Sequence, residues 1–305
     1  MRKKIETIIV FLFLSLFSLA TIYPVLNVFG VSLRTDNAFQ TKSLSIFKFE
    51  ENYIDSNGNG TWDFEENYID SNNNGKWDAG SSFKSYWTLF NETDFFLWAR
   101  NSILISVVVT MTGVVFASIG GYALSRFKFK GREFGMTALL TTQMFPATML
   151  LLPFFILLSY LGLINSYIGL IIIYSSTALP FCIWQMKGYY DTIPPSLEES
   201  ARLDGCSQYQ AFYKIILPLS SPALVITALF SFMASWSEYV VAAIILQDPK
   251  LYTLPLGLKS FQASLSTQWG LYAAGAIVVS IPVAILFISL SKYLVSGLTM
   301  GSVKE

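Results

Sequence analysis

The chain has 305 residues, of which 53% are hydrophobic and only 13% are charged, and its mean hydropathy is +0.51. Soluble domains carry about 25% charged residues, so this composition excludes a disordered chain and an ordinary soluble globule. Twenty Lys+Arg balance twenty Asp+Glu, which leaves no global basic field for nucleic acid, and the absence of histidine removes Ser-His-Asp triads and His-ligated zinc. The two cysteines, Cys182 and Cys206, are poorly placed for a disulfide and too few for a cluster.

A helix needs about 20 apolar residues to cross some 30 Å of hydrocarbon. Six runs meet that length, near 8–33, 103–124, 137–161, 168–186, 223–246 and 272–295. The fold class expected is therefore an all-α polytopic membrane protein with six transmembrane helices. Arg2, Lys3 and Lys4 precede the first run, which is too long for the 7–15-residue core of a signal peptide and lacks a small-residue cleavage site. It reads as an uncleaved first helix. Lys/Arg bias in short loops sets orientation. Arg126, Lys128, Lys130 and Arg132 crowd the second turn, so both termini, 125–136 and 187–222 are expected inside. Segment 34–96 then lies outside, with five Lys/Arg against eleven Asp/Glu, a net of −6. Pro24, Pro146, Pro153, Pro180 and Pro282 interrupt the runs, either as ordinary kinks or as bends around a path.

The chain divides into residues 1–47 (tail, first helix and start of the external loop), an insert over 48–82, and a core over 83–305. The insert is a tandem repeat. FEENYIDSNGNGTWD at 49–63 and FEENYIDSNNNGKWD at 64–78 agree at thirteen of fifteen positions. The first unit supplies Asp55, Asn57, Asn59, Thr61, Asp63 and, at position twelve, Glu66, with Gly60 at position six. This is the full EF-hand loop pattern, in which alternate residues turn hard oxygens toward Ca²⁺ and the glycine allows a sharp turn. The second unit supplies Asp70, Asn72, Asn74, Lys76 and Asp78, but position twelve is Ser81. No exit helix fits between Glu66 and Asp70, so the units resemble dockerin- or thrombospondin-type calcium repeats without their helices. The competing reading is a solvated acidic loop. Ca²⁺ is the expected cofactor, and ordering of the loop its expected effect.

Polar residues within apolar spans are costly and mark functional candidates. Gln143, Gln185, Trp236, Ser237, Glu238 and Tyr239 stand out as a possible translocation path, against the alternative that they glue helices together.

Segment 193–219 carries the most information. Pro194 and Pro195 end the preceding helix. Ser196 and Glu199 have capping-box spacing, as do Ser207 and Gln210. Gly205 between them offers a left-handed stop. The second helix sets Ala211, Phe212, Ile215 and Ile216 on one face and ends at Pro218. The expectation is a helix–glycine–helix elbow, either a docking element or a plain loop. Its sequence E-S-A-R-L-D-G-C-S-x-x-x-x-F-x-x-I-x-L-P resembles the EAA loop of ABC importer permeases, matching at Glu199, Ala201, Asp204, Gly205, Phe212, Ile215, Leu217 and Pro218. The likeness continues in Tyr122-Ala123-Leu124-Ser125-Arg126, Met144-Phe145-Pro146, Leu179-Pro180-Phe181, Phe232-x-x-Ser235-Trp236-Ser237-Glu238-Tyr239 and the tail from Trp269-Gly270, all similar to carbohydrate-uptake permeases of the maltose/maltodextrin type. Ser237 departs from the family's usual Asn.

That resemblance implies a permease subunit of an ATP-driven importer for a sugar or oligosaccharide in the bacterial inner membrane. It implies, as partners, a second permease, an ATP-binding subunit dimer, an external sugar-binding protein and membrane lipid. It implies that Glu198, Glu199, Ser200, Ala201, Asp204 and Gly205 couple the chain to the ATPase, with Glu198 and Glu199 as polar contacts. No G-x-x-x-x-G-K-[ST] occurs, so ATP belongs on partner subunits and the chain is expected to have no catalysis of its own. A secondary carrier and a membrane-anchored calcium-binding interaction protein are the rival readings. The first leaves the capped elbow unexplained, and the second leaves six spans unexplained.

Overall fold

In the computed structural model the described residues are 2–34, 54, 56, 58, 67–69, 82–262 and 267–300. The insert residues proposed as calcium ligands (Asp55, Asn57, Asn59, Thr61, Asp63, Glu66, Asp70, Asn72, Asn74, Lys76 and Asp78) lie outside them. Among the described residues the regular elements are helices, and Gln262 and Thr267 form an isolated antiparallel bridge.

The helices are α1 (Arg2–Ser32), α2 (Lys84–Asn91), α3 (Phe95–Arg126), α4 (Arg132–Thr142), α5 (Leu151–Tyr160), α6 (Tyr167–Thr192), α7 (Ser196–Leu203), α8 (Gln208–Ala211), α9 (Leu217–Leu219), α10 (Ser221–Trp236), α11 (Val240–Ile245), α12 (Leu254–Lys259) and α13 (Trp269–Met300). Stretches within α1, α3, α6 and α13 are long and apolar enough to cross a membrane. Pro24, Pro180 and Pro282 sit inside α1, α6 and α13 without ending them.

The other two expected spans are interrupted. The run 137–161 divides into α4, a 3₁₀ turn at Ala147–Leu150, and α5. Pro146 is extended (ψ 131°) and disfavours a helical Phe145, whereas Pro153 falls in the first turn of α5, where its missing N–H costs nothing. The run 223–246 stops at Trp236 and restarts as α11 at Val240. Gln208–Leu219 and Ser221–Trp236 together satisfy a span's length and apolarity, bent by 76° at Ser220. Of the six expected spans, the described residues form four as single long helices. They give four long helices, one bent pair and a short apolar helix.

The chain falls into two compact units. The first comprises Met1–Phe95 and Leu258–Ser280. In it, Ser32 and Tyr86 share a hydroxyl hydrogen bond of 2.8 Å, and Ser82 N–H donates to Leu33 O at 2.7 Å. The second comprises Phe96–Gly257 and Ile281–Glu305. There α10 packs along α6, and two apolar cores form. One joins Ile105 and Val109 of α3, Leu158 of α5, Leu170, Ile173 and Tyr174 of α6, and Val241, Ala242 and Ile245 of α11. The other joins Ala117 and Tyr122 of α3, Cys182, Met186 and Tyr190 of α6, Ile216, and Ala223 of α10. Between these helices polar pairs act as glue. Thr112 meets Ser175 at 2.9 Å, and Cys182 meets Ser231 at 3.3 Å. Both cysteines are free thiols.

Candidate functional site: the elbow at residues 193–220

Helix α7 starts on backbone rather than side-chain bonds. Leu197 N–H donates to Pro194 O (3.3 Å) and Glu198 N–H to Pro195 O (3.0 Å), and no side chain caps the turn. The expected Ser196–Glu199 box is absent. A capping residue must be extended, but Pro195 already has helical angles (φ −59°, ψ −25°), so Ser196 lies inside the first turn. The C-terminal end follows expectation. Gly205 is left-handed at φ +89°, Cys206 N–H donates to Ala201 O (3.0 Å) and Gly205 N–H to Arg202 O (3.1 Å), which is the paired bonding of a Schellman stop.

The second box does form. Ser207 Oγ accepts from Gln210 N–H (3.3 Å), and Gln210 Oε1 accepts from Ser207 N–H (2.8 Å). Beyond α8 the chain widens into a π turn over Phe212–Ile216, where Leu217 N–H donates to Phe212 O. Pro218 therefore does not end the helix as expected. A proline ring clashes with the carbonyl four residues back, and the wider turn relieves that crowding, so α9 continues through Pro218. The stop comes at Ser220, whose Oγ donates to Ile216 O at 2.7 Å. Ala211 and Ile216 are fully buried, and Phe212 and Ile215 pack on the same core, as the apolar spacing predicts.

The elbow's two faces differ. Glu199, Ser200, Asp204 and Gly205 are exposed, beside Leu203 (89% exposed) and Tyr209 (87%). Ala201 is buried. Glu198 turns the other way and is only 8% exposed. Its Oε1 accepts from Arg126 Nε at 2.5 Å and its Oε2 from Tyr122 OH at 2.7 Å. The expectation of Glu198 as an outward polar contact is thus corrected, because its carboxylate is consumed within the chain. Arg126 also donates through Nη2 to Ile193 O (2.8 Å), and next to it Ser125 Oγ donates to Asp191 Oδ1 (2.6 Å) while Lys187 pairs with Asp191 (2.5 Å). Sequence spacing did not reveal this cluster. The only local signal is the repeat of Tyr122 and Arg126 at four residues, one helix face.

The candidate path residues separate. Gln143 is exposed and donates from Nε2 to Thr177 O at 3.0 Å, and Ser237 is exposed with its Oγ on Met233 O at 2.6 Å. Gln185 is half-buried. Trp236 is 3% exposed and stacks on Phe232 (5.3 Å, 18°), and Tyr239 packs against the α3–α11 core. Glu238 Oε2 accepts from Tyr174 OH at 2.6 Å, and the carboxylate also takes Val241 N–H (2.9 Å) and Ala242 N–H (3.3 Å). It caps the restarted α11, the position where a negative charge meets the positive end of a helix. That role was missed, although an acid just before a helix start is its sequence signature.

Residues 113–299 match the family described as the binding-protein-dependent transport system inner membrane component. The maltodextrin transport system permease protein MdxG of Bacillus subtilis is 33% identical over 99% of this chain and 98% of its own length. The maltodextrin permease MalD of Streptococcus pneumoniae is 30% identical over 100% and 98%. The galactooligosaccharide permease GanQ of Bacillus subtilis is 38% identical over 68% of this chain and 74% of its own. In fold, a crystal structure of a bacterial ABC transporter that imports the acidic polysaccharide alginate aligns with a TM-score of 0.73 and 24% identity, covering 95% of this chain and 96% of that one.

Proposed function

The chain belongs to the family of inner membrane components of binding-protein-dependent transport systems, and from that membership we propose that it is the permease subunit of an ATP-driven ABC importer of oligosaccharides. The observation that carries the proposal is the elbow. A Schellman-stopped helix with an exposed face of Glu199, Ser200, Leu203 and Asp204 is held rigidly over a packed apolar core. Such a helix is suited to transmit force from a separate subunit, and an exposed Leu203 beside polar neighbours is the composition of a protein-contact surface.

In this reading a second permease completes the path, an ATPase dimer grips the elbow, and an external sugar-binding protein delivers the substrate. Both termini and the elbow lie on the cytoplasmic side of the bacterial inner membrane, and the repeat insert lies outside. Maltodextrin is the proposed sugar class, supported by full-length similarity to two permeases named for it. The exposed Gln143 and Ser237 are the proposed polar contributors to the path from this subunit. Ca²⁺ bound by the insert orders the external loop, supported by the complete D-x-N-x-N-G-x-x-D-x-x-E pattern of its first unit.

The test is co-purification with the partner subunits, reconstitution into proteoliposomes, and measurement of ATP-dependent uptake of labelled maltodextrin against maltose and galactooligosaccharide. Uptake that needs ATP and the binding protein supports the proposal. Uptake down a gradient by this chain without an ATPase overturns it in favour of a carrier, and maltodextrin excluded while another glycan enters overturns the substrate class alone.

A further inference from the structure

The chain path attaches the elbow to α6 through Ile193–Pro195 and to α10 through Ser220, but nothing covalent joins it to α3, which ends at Arg126 and leads away to α4. Side chains supply that third attachment. Tyr122 and Arg126, one turn apart on α3, each take a different oxygen of the one carboxylate of Glu198 on α7. Arg126 spans onward to the carbonyl of Ile193, the residue that joins α6 to the elbow. The Tyr122 ring lies 4.4 Å from that of Phe212 in the elbow's second arm and 5.9 Å from that of Tyr190 on α6. The tip of α3 therefore touches both arms of the elbow and the helix that leads into it.

Two features distinguish this cluster from ordinary packing. A buried ion pair is a poor source of stability, because desolvation offsets the attraction and apolar residues of like volume do as well. Arg126 and Glu198 are both only 11% exposed at their side chains. What such a pair supplies is orientation. Held at two oxygens from two directions, the Glu198 carboxylate fixes the rotation of α7 about its own axis as well as its distance from α3. A single hydrogen bond or an apolar contact would leave α7 free to roll or slide.

We propose that Tyr122 and Arg126 are positioning residues that clasp Glu198, so that a movement of the elbow is delivered to α3 and not only to α6 and α10. The inference rests on the elbow being the ATPase-driven element. Breaking the clasp uncouples. The motor still turns over, but less sugar crosses for each ATP hydrolysed.

The experiment uses the full reconstituted complex and reads sugar imported per ATP hydrolysed, at equal amounts of assembled complex. Arg126→Gln removes the charge, Tyr122→Phe removes one hydrogen bond while keeping the ring on Phe212, and Arg126→Glu with Glu198→Arg reverses the pair. Arg126→Gln is expected to lower the ratio about tenfold, within the usual range of coupling between sites, and Tyr122→Phe by a smaller factor. The reversed pair is expected to restore part of the ratio lost in either reversal alone. A merely structural clasp would lower the yield and melting temperature of the complex and leave the ratio unchanged in the complexes that assemble. That result, with ATP-driven uptake by the unaltered complex, overturns this inference alone. Tyr122→Phe decides the point if Arg126→Gln does not assemble. An unaltered complex without ATP-dependent uptake overturns the underlying reading and this inference with it.

Discussion

Gly120 and Gly121 are neighbours in α3, and their replacement by alanine should have opposite signs. A Cβ on Gly121 would lie 2.8 Å from Met186 Cβ and 2.9 Å from the backbone N of Lys187. Neither atom can swing aside, since both belong to the rigid stem of α6. The two helices would have to part by about half an ångström, an overpacking that costs about 1–3 kcal/mol. The atoms nearest a Cβ on Gly120 belong to the Ile183 side chain, at 3.5 Å, which is ordinary contact. Alanine there keeps the packing and improves helix propensity by up to about 1 kcal/mol. The expected order of melting temperature in detergent is Gly120→Ala, then the unaltered chain, then Gly121→Ala, with the two variants separated by about 1–4 kcal/mol. Because Gly121 sits one residue before Tyr122, its alanine variant should also lose more sugar transport per ATP than its stability loss alone explains. A Gly121→Ala protein that melts with or above the unaltered chain would refute the close approach of α3 to α6.

Three other outcomes follow from the geometry. Glu238→Ala strands the Tyr174 hydroxyl and the Val241 N–H and should destabilise by about 2–3 kcal/mol, with Glu238→Gln milder because an acceptor remains. Equal melting of Glu238→Ala and the unaltered chain would contradict that cap. Gly205→Ala meets nothing within 4 Å but must hold φ at +89°, a strain of about 1–2 kcal/mol that Gly205→Asn largely avoids, so thermal melts should rank Gly, Asn, Ala. Limited proteolysis of the intact protein should show slower cleavage within residues 50–80 in calcium at about 10⁻³ M than in chelator, and Asp63→Ala should abolish the difference. Identical digests with calcium and chelator would remove the metal from the account.

The elbow was legible because its signals are local. Ser207 with Gln210, Gly205 after an eight-residue helix, and apolar residues at spacings of three and four each act within one turn of their own position, and each is found where expected. The failures involve neighbours that spacing does not report. Ser196 lost its capping role because Pro195 is compatible with a helix start as well as with a helix end. Pro218 was absorbed by a π turn instead of breaking the helix. Hydropathy located the apolar runs but overlooked the breaks within two of them, since Pro146 and Glu238 alter backbone direction without lowering the mean apolarity of a window much. Glu198 and Glu199 are indistinguishable as letters. Their opposite faces follow from the position of Arg126, 72 residues earlier.

That last separation sharpens the reading of the loop. An acidic pair beside a docking helix suggests two outward contacts, and the structure leaves one. With Glu198 committed to α3, the outward face of α7 presents Glu199 as its acidic group in the first turn and Asp204 past its end, with Leu203 between them. A helix that met its partner through flexible glutamates alone would transmit little, since long polar side chains yield before backbone does. A helix pinned from behind by a two-oxygen clasp, stopped by a left-handed glycine and backed by the buried Ala201 and Ala211, would by contrast move as a rigid piece. If the elbow is the ATPase-driven element, as proposed, Glu198, Tyr122 and Arg126, which face away from that partner, would set how much of its motion reaches α3.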